Sequence, residues 1–207
     1  MIKYYHTVRL VADQIAGAIN RSVEMLREGQ VEQEPAMTDR MLGAIQESLS
    51  NYSAKGIRWR AKTLTDRGRG AQESKYGADF MGVLNIDLPD FKVSKGFLAQ
   101  AKLIKNDGIG DLSRLKGQCK DMLDLSPASF VFLYGPDGVR VLPAISVIGS
   151  ADPFQLYHRS AQRFFEEHLE CFIGDMNISS PISATLAELR DRFEARSALM
   201  LQADLNP

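Results

Sequence analysis

The sequence predicts an α/β fold in which helices flank a central mixed β-sheet, with extra helices at the N- and C-terminal ends. Three observations favour this fold. Apolar residues recur at helical spacing in residues 2–27 and again after residue 150. Between these ends, short segments rich in apolar and β-branched residues are separated by turn residues, as strands are. A further helical segment, residues 112–125, divides the strands into a group of three and a group of two.

The length and charge of the chain bound its organisation. A chain of 207 residues can bury one sizeable hydrophobic core, so we expect a single domain, 1–207. Its 25 basic and 26 acidic residues nearly cancel. Net charge therefore gives no sign of nucleic-acid binding, and any surface that binds a polyanion must be local.

The cysteines and histidines have no zinc-ligand spacing. Cys119 and Cys171 lie far apart in apolar helical contexts, which predicts buried, reduced thiols. His158 and His168 are ten residues apart, not the four of a helical zinc pair, and we interpret them as surface or cap residues. The sequence shows no signal peptide and no apolar run long enough to span a bilayer. We expect a cytoplasmic protein with no membrane partner.

Two helices open the chain. The apolar stripe of residues 2–27 ends before Gly29 and predicts a helix for packing or oligomerisation. Pro35 suits the first turn of a second helix, which we expect to reach about Ala54. The apolar residues at helical spacing on this second helix are Leu42, Ile45, Leu49 and Tyr52.

A basic strand follows the second helix. Residues 57–64 alternate strictly, with apolar side chains on one face and basic ones on the other. Such alternation is typical of a solvated strand face, but close to a site that cuts phosphates it equally predicts a phosphate-binding surface. The candidate nucleic-acid-binding residues are Arg58, Arg60, Lys62, Arg67 and Arg69.

A predicted hairpin carries a small polar cluster. Residues 80–88 and 97–104 are predicted strands, joined through turn residues in 88–96. Gln100 and Lys102 share one face of their strand, and pairing of the two strands can bring Asp79 towards them.

A carboxylate and an ammonium are costly to bury in a sheet unless they are paired or recruited to a site. A divalent metal could recruit them, because Mg²⁺ binds oxygen ligands and keeps several waters. The alternative is an ordinary strand pair whose lysine reaches solvent at the sheet edge.

The residues Gly77-Ala78-Asp79, the apolar strand after them and Leu98-Ala99-Gln100-Ala101-Lys102 resemble the PD-(D/E)XK nuclease superfamily. The likeness is to restriction-endonuclease-like, Mrr-like members in which glutamine replaces the second acid. It implies a restriction-endonuclease-like core in which Asp79 and Gln100 bind Mg²⁺ or Mn²⁺ and Lys102 serves the nucleophile.

The resemblance covers residues 34–148. It leaves 1–29 as an added N-terminal helix and 150–207 as a C-terminal helical extension. The order of predicted elements within the core, namely helix, three strands, helix and two strands, also resembles the family. The last two strands, 129–134 and 139–142, are joined by the strong turn signal Gly135-Pro-Asp-Gly138.

In this family the first core helix often lends an acid to the site, and Glu34, Asp39 and Glu47 compete for that place. We prefer Glu34 as a metal ligand, because Met37, Thr38 and Met41 follow it at helical spacing and put it at the edge of the buried face. Its alternative role is a helix N-terminal acid favoured by the macrodipole. Asp39 is the second choice. Glu47 lies opposite the apolar stripe and is expected to be solvated.

Two more residues have a counterpart in the family. Glu73 lies six residues before Asp79, where relatives carry an acid, and would bind metal or position its loop. Gln118 lies near the apolar face of the predicted helix 112–125, where glutamine-type nucleases have a glutamine close to the active site. A solvated loop acid and a polar residue at a helix margin are the respective alternatives.

The function implied is a metal-dependent DNA endonuclease of a restriction or anti-phage defence system. Because cutting both strands of a duplex requires two active sites or a reorientation, we expect a homodimer. The last two predicted helices, 153–172 and 183–200, include a charged one suited to dimer contacts. The alternatives are a degenerate site that binds nucleic acid without cutting and a protein-interaction subunit of a defence system.

Overall fold

One mixed β-sheet organises the part of the chain that the structure describes. The structure is a computed structural model, and it describes residues 4–65, 78–104, 108–179 and 185–205. Its strands are β1 Tyr52–Ala54, β2 Ile57–Thr65, β3 Phe80–Leu88, β4 Phe91–Leu103, β5 Ser129–Gly135, β6 Gly138–Pro143, β7 Arg159–Ser160 and β8 Ser197–Leu205. Its helices are α1 Tyr5–Arg27, α2 Glu34–Ser48, α3 Leu112–Leu125, α4 Ala144–Gly149, α5 Ala161–Leu169 and α6 Leu186–Arg192, with a 3₁₀ turn at Pro153–Gln155.

The strands lie in the order β1-β2-β8-β3-β4-β5-β6-β7. The pairs β3/β8 and β4/β5 are parallel, and the other neighbouring pairs are antiparallel. Helices cover both faces, so the predicted α/β fold with a mixed sheet flanked by helices is confirmed.

Each face of the sheet packs against its own helices. Helices α1, α2 and α5 cover one face, where Phe80, Phe97 and Phe164 belong to the same core cluster. Helices α3, α4 and α6 cover the other, around Met81 and Leu115. The central strands are therefore apolar on both faces, which explains their nearly continuous hydrophobic sequences.

The predicted hairpin of β3 and β4 forms, but its turn is shorter than predicted. Leu88 pairs with Phe91, so only Pro89 and Asp90 connect the strands. The expectation of a turn over 88–96 was wrong because charged residues interrupt the apolar pattern there. One of them, Lys92, pairs across the hairpin with Asp87 at 2.7 Å, which strand geometry accommodates at an exposed edge.

The C-terminal segment differs most from expectation. The predicted helix 183–200 is replaced by the short helix α6 and by strand β8, which lies between β2 and β3. Residues 150–207 are therefore not a helical extension, and the sheet is not confined to residues 34–148. Ala, Leu, Met and Gln favour helices intrinsically. Here Ala198 and Leu199 are both fully buried on opposite faces, so burial within the sheet overrides that propensity.

The predicted bounds of two other helices were also wrong. The second helix ends at Ser48 instead of about Ala54, because residues 52–54 form β1 and turn directly into β2. Lys55 and Gly56 both have positive φ, as a tight two-residue hairpin turn requires. The predicted helix 153–172 is reduced to α5, preceded by the 3₁₀ turn and β7.

Two histidines and two cysteines lie outside the predicted site, and some are buried whereas others are exposed. His158 is exposed as expected, but His168 is completely buried beneath the sheet, which corrects its assignment to the surface. Cys119 is buried as expected, whereas Cys171 is exposed. In the described ranges, no helix combines the length and the apolar character that crossing a membrane requires.

Candidate active site at the end of the sheet

Asp79 lies beside the end of β4, as the hairpin prediction required. It directly precedes β3, and its backbone N–H donates to the carbonyl of Ala99 at 2.9 Å. Its Oδ2 accepts a hydrogen bond from the backbone N–H of Ala101 at 2.9 Å and another from Nε2 of Gln100. The predicted approach of Asp79 to Gln100 is therefore confirmed.

Helix α2 brings Glu34 onto the same end of the sheet. Nζ of Lys102 donates to Oε1 of Glu34 at 3.0 Å, and the backbone N–H of Leu103 donates to Oε2 at 3.2 Å. The side chains of Lys102 and Glu34 remain 16% and 26% exposed. Pro35 fixes the first turn of α2, which starts the helix at Glu34 and aims its carboxylate at β4. Glu47 is exposed, as expected.

A second acid of α2 reaches the site from the side of β8. Oδ1 of Asp39 accepts a hydrogen bond from Oγ of Ser197 at 3.4 Å. Its Oδ2 lies 3.7 Å from Nη2 of Arg196, which directly precedes β8. Sequence reasoning missed Arg196 because it placed this residue in a helix. Strand β8 is buried on both faces over its first five residues, so no alternating pattern in the sequence marked it as a strand.

Burial dominates the electrostatics of Asp79. The pKa of Asp79 is raised to about 6 from 3.8, chiefly by desolvation; the hydrogen bond from Ala101 opposes this rise, and the charge of Glu34 adds to it. Lys102 and Arg196 both lower the pKa. The charged form of Asp79 is thus disfavoured without a further cation, and a bound cation would favour it.

Two amide oxygens in this region are buried without a hydrogen-bond donor among the described residues: Oε1 of Gln100 and Oε1 of Gln118. A buried polar atom without a partner is unfavourable, and it points to a water, ion or ligand. Gln118 belongs to α3, whose next residue, Cys119, feels the charge of Lys102, although burial raises the pKa of Cys119 to about 12. No hydrogen bond in the described ranges joins Gln118 to Asp79 or Gln100.

The donor set fits a hard cation. Asp79, Glu34 and the Gln100 amide supply oxygen atoms, which Mg²⁺ and Mn²⁺ prefer. In the part of the chain that the structure describes, no three His, Cys, Asp or Glu residues are grouped closely enough to hold a metal. A metal here would therefore depend on the amide oxygen and on substrate oxygens as well. Glu73, the other predicted ligand, lies outside the described residues.

The predicted basic surface is only partly near this site. Arg58 and Arg60 both pair with Asp204, the former at 3.0 Å. Asp204 is seven residues along β8 from Ser197, which pairs with Phe80. At about 3.3 Å per residue, the two arginines lie roughly 15–25 Å from Asp79 along the strands. They therefore do not lie beside Asp79, because the register of β2 with β8 places them towards the other end of the sheet.

Of the other basic candidates, the structure describes only Lys62, which lies closer to Asp79 than the two arginines do. Lys62 is exposed and pairs in register with Met200, nearer the site end of β8. Arg67 and Arg69 lie outside the described residues. A cleft of about 490 Å³ lies beside Glu34, and its other lining residues include Leu103 and Ile109.

Comparison of the chain with protein-family models, with curated proteins and with solved structures returns no match. The interpretation of the site therefore depends on its own geometry.

Proposed function

We propose that this protein is a metal-dependent endonuclease that hydrolyses phosphodiester bonds of DNA. The observation that carries the proposal is the meeting of Asp79, Gln100, Lys102 and Glu34 at one end of the sheet. They come from the start of β3, the end of β4 and the first turn of α2. A carboxylate with a raised pKa, an amide oxygen without a donor and a restrained lysine beside an open cleft are suited to this chemistry.

Each residue has a role that its contacts support. Asp79 and Gln100 would hold the metal, with Glu34 near enough to influence the charge of Asp79. Lys102, oriented by Glu34, holds the attacking water and donates a hydrogen bond to the phosphate as negative charge develops there. Bound Mg²⁺ or Mn²⁺ would supply Lewis-acid stabilisation of the phosphate and a more acidic water. Gln118 on α3 is proposed to contact the water or the substrate.

The proposed core is restriction-endonuclease-like, with β8 as an additional strand between β2 and β3. We further propose a homodimer acting in the cytoplasm within a restriction or defence system. These proposals go beyond the site geometry and follow from the resemblance of the motif residues to the nuclease superfamily.

The second candidate function is a nucleic-acid-binding protein without catalysis. The observation that favours it is the low ligand charge of the site, since Gln100 replaces an acid and the described residues hold no group of three metal-binding acids, histidines or cysteines. A neutral ligand weakens metal affinity unless Glu34, Glu73 or substrate phosphate compensates.

Cleavage of plasmid and linear DNA tests the proposal. Native protein is incubated with Mg²⁺, Mn²⁺ or EDTA and compared with Asp79→Asn and Lys102→Met, after each variant is shown to fold by circular dichroism. We expect metal-dependent cutting by native protein alone. Folded native protein that binds DNA but never cuts it supports the second candidate, and the absence of both activities overturns both candidates.

A further inference from the structure

Two cations flank Asp79, one on each neighbouring strand. Lys102 is near the end of β4, and Arg196 directly precedes β8. Both neighbours pair with β3, and the backbone N–H of Ser197 donates to the carbonyl of Asp79 at 3.0 Å. Adjacent strands are about 4.8 Å apart, so the two cations belong to strands about 10 Å apart with the acid between them.

Helix α2 supplies one acid to each cation. Glu34 holds Lys102 at 3.0 Å, whereas Asp39 lies 3.7 Å from Arg196, beyond ordinary hydrogen-bond distance. The Arg196 and Asp39 side chains are 28% and 37% exposed. A guanidinium has five N–H donors, and in the described ranges the side chain of Arg196 forms no other ion pair. As far as the described residues are concerned, most of its donors are therefore available to a ligand.

The ligand chemistry follows from this arrangement. A guanidinium binds a phosphate through two parallel hydrogen bonds, which are stronger than one long contact to a partly solvated carboxylate. By contrast, Arg58 and Arg60 are held by Asp204 towards the other end of the sheet.

We infer that Arg196 binds a DNA phosphate next to the one that is attacked, exchanging Asp39 for that phosphate when the substrate is bound. The inference rests on the proposed function and deepens it, because it assigns a phosphate contact to β8. Lys102 then serves the reacting phosphate, and Arg196 fixes the register of the strand along the end of the sheet.

The test measures binding separately from cutting. Affinity for a fluorescent duplex is measured by anisotropy in EDTA over a salt series, for native full-length protein, Arg196→Gln and Arg196→Lys. The matched control is Arg163→Gln, which removes the same charge from α5, where Arg163 pairs with Glu166 and Glu167.

We expect Arg196→Gln to weaken binding about tenfold and to reduce the slope of log affinity against log salt by about 0.9, the value for one lost phosphate contact. Arg196→Lys should recover the slope and part of the affinity, and Arg163→Gln should match native protein. Asp39→Asn should bind DNA more tightly, because it removes the competing carboxylate. A purely structural Arg196–Asp39 pair would give no such gain.

The outcomes separate this inference from the proposed function. Unchanged affinity and slope in Arg196→Gln, with native protein that binds and cuts DNA, overturns the inference alone. The expected slope change with native protein that never cuts keeps the inference and removes the endonuclease. Native protein that neither binds nor cuts removes both.

Discussion

Strand β4 carries two largely buried lysines at opposite ends, and their surroundings differ. Lys102 pairs with Glu34 and lies near Asp79, beside a cleft that opens to solvent. Lys95, only 3% exposed, donates to the carbonyl of Ile173 and has no acid within ion-pair distance among the described residues. Seven residues separate the lysines, so they lie about 23 Å apart and on opposite faces of the sheet.

The Lys95 end is closed by packing. The ring of His168 lies against Phe97, with centroids 5.0 Å apart. Gly174 has a φ of +124°, and a Cβ there would come within 2.9 Å of Cδ of Lys95. Desolvation lowers the pKa of Lys95, which Cys171 partly opposes. Among the described residues, the surroundings of Lys95 are therefore packed side chains and backbone.

The comparison shows that a buried charge does not by itself mark a functional site. Both ends even contain a buried polar atom without a partner in the described ranges, Oε1 of Gln100 at one and Nε2 of His168 at the other. The Lys102 end differs because two carboxylates, those of Asp79 and Glu34, lie near Oε1 of Gln100 and because a cleft opens to solvent beside them.

The largest expected effect contrasts the two lysines in catalysis. Lys102→Met should reduce metal-dependent DNA cleavage about 10³-fold, because one preorganised donor to the developing charge is lost. Lys95→Met, an equal change on the same strand, should keep the native rate. Single-turnover cleavage measures both variants. Equal losses in the two variants would mean that they act through folding, and the contrast between the two ends would fail.

The next effect is the acid stability of the Lys95 end. Burial and, to a lesser extent, the charge of Lys95 lower the pKa of His168 to about 3 from 6.5. The unfolded chain then binds more protons than the folded one below pH 6.5, so stability is lost as pH falls. This loss amounts to about 3 kcal/mol between pH 7 and pH 4.

Urea unfolding at several pH values measures this loss. His168→Leu should lack the His168 contribution, whatever its stability at neutral pH, whereas His158→Leu at an exposed histidine should keep the native profile. Profiles that are the same in native protein and His168→Leu would show that His168 does not titrate on unfolding.

In metal-free protein, the residues at the Lys102 end should make stability depend on pH in the opposite direction. The pKa of Asp79 is raised to about 6 from 3.8. The stability that protonated Asp79 contributes to the folded protein is therefore fully present below pH 3.8 and is lost as pH rises through 6. In EDTA at about pH 8, Asp79→Asn should therefore be about 3 kcal/mol more stable than native protein. The difference should shrink at about pH 4.

The control for this prediction is Asp87→Asn, at an exposed acid on the same strand that pairs with Lys92. It should gain no stability. Mg²⁺ should stabilise native protein but not Asp79→Asn, because only the native site binds the cation. Thermal unfolding measures both effects. An Asp79→Asn protein less stable than native at pH 8 would contradict an unfavourable buried charge.

The Lys102 end was largely predictable because its information is local. Residues two apart on a strand share a face, which places Gln100 with Lys102, and one hairpin brings Asp79 to them. Helical spacing was enough to choose Glu34 over Glu47. What local patterns could not supply was Arg196, since β8 enters the sheet more than 100 residues after β3 and has the composition of a helix.

The Lys95 end was not predictable for the same physical reason. The burial of His168 depends on how α5 packs beneath β4, and the partner of Lys95 is a carbonyl 78 residues away. Neither contact leaves a periodic signal in the sequence. An isolated lysine in a strand therefore indicates nothing about its environment until the partner is known.

The smallest expected effect is on the stability of Lys95→Met. Methionine removes the desolvated ammonium and keeps the chain length, which favours folding. It also leaves the Ile173 carbonyl without its donor, and the two changes should nearly cancel, to within about 1 kcal/mol at neutral pH. Because the charge of Lys95 also lowers the pKa of His168, the variant should lose less stability in acid. Urea unfolding at neutral and acid pH checks both statements. A loss of several kcal/mol at neutral pH would mean that the lysine hydrogen bond holds the 168–174 segment in place, which would make Lys95 an essential structural residue.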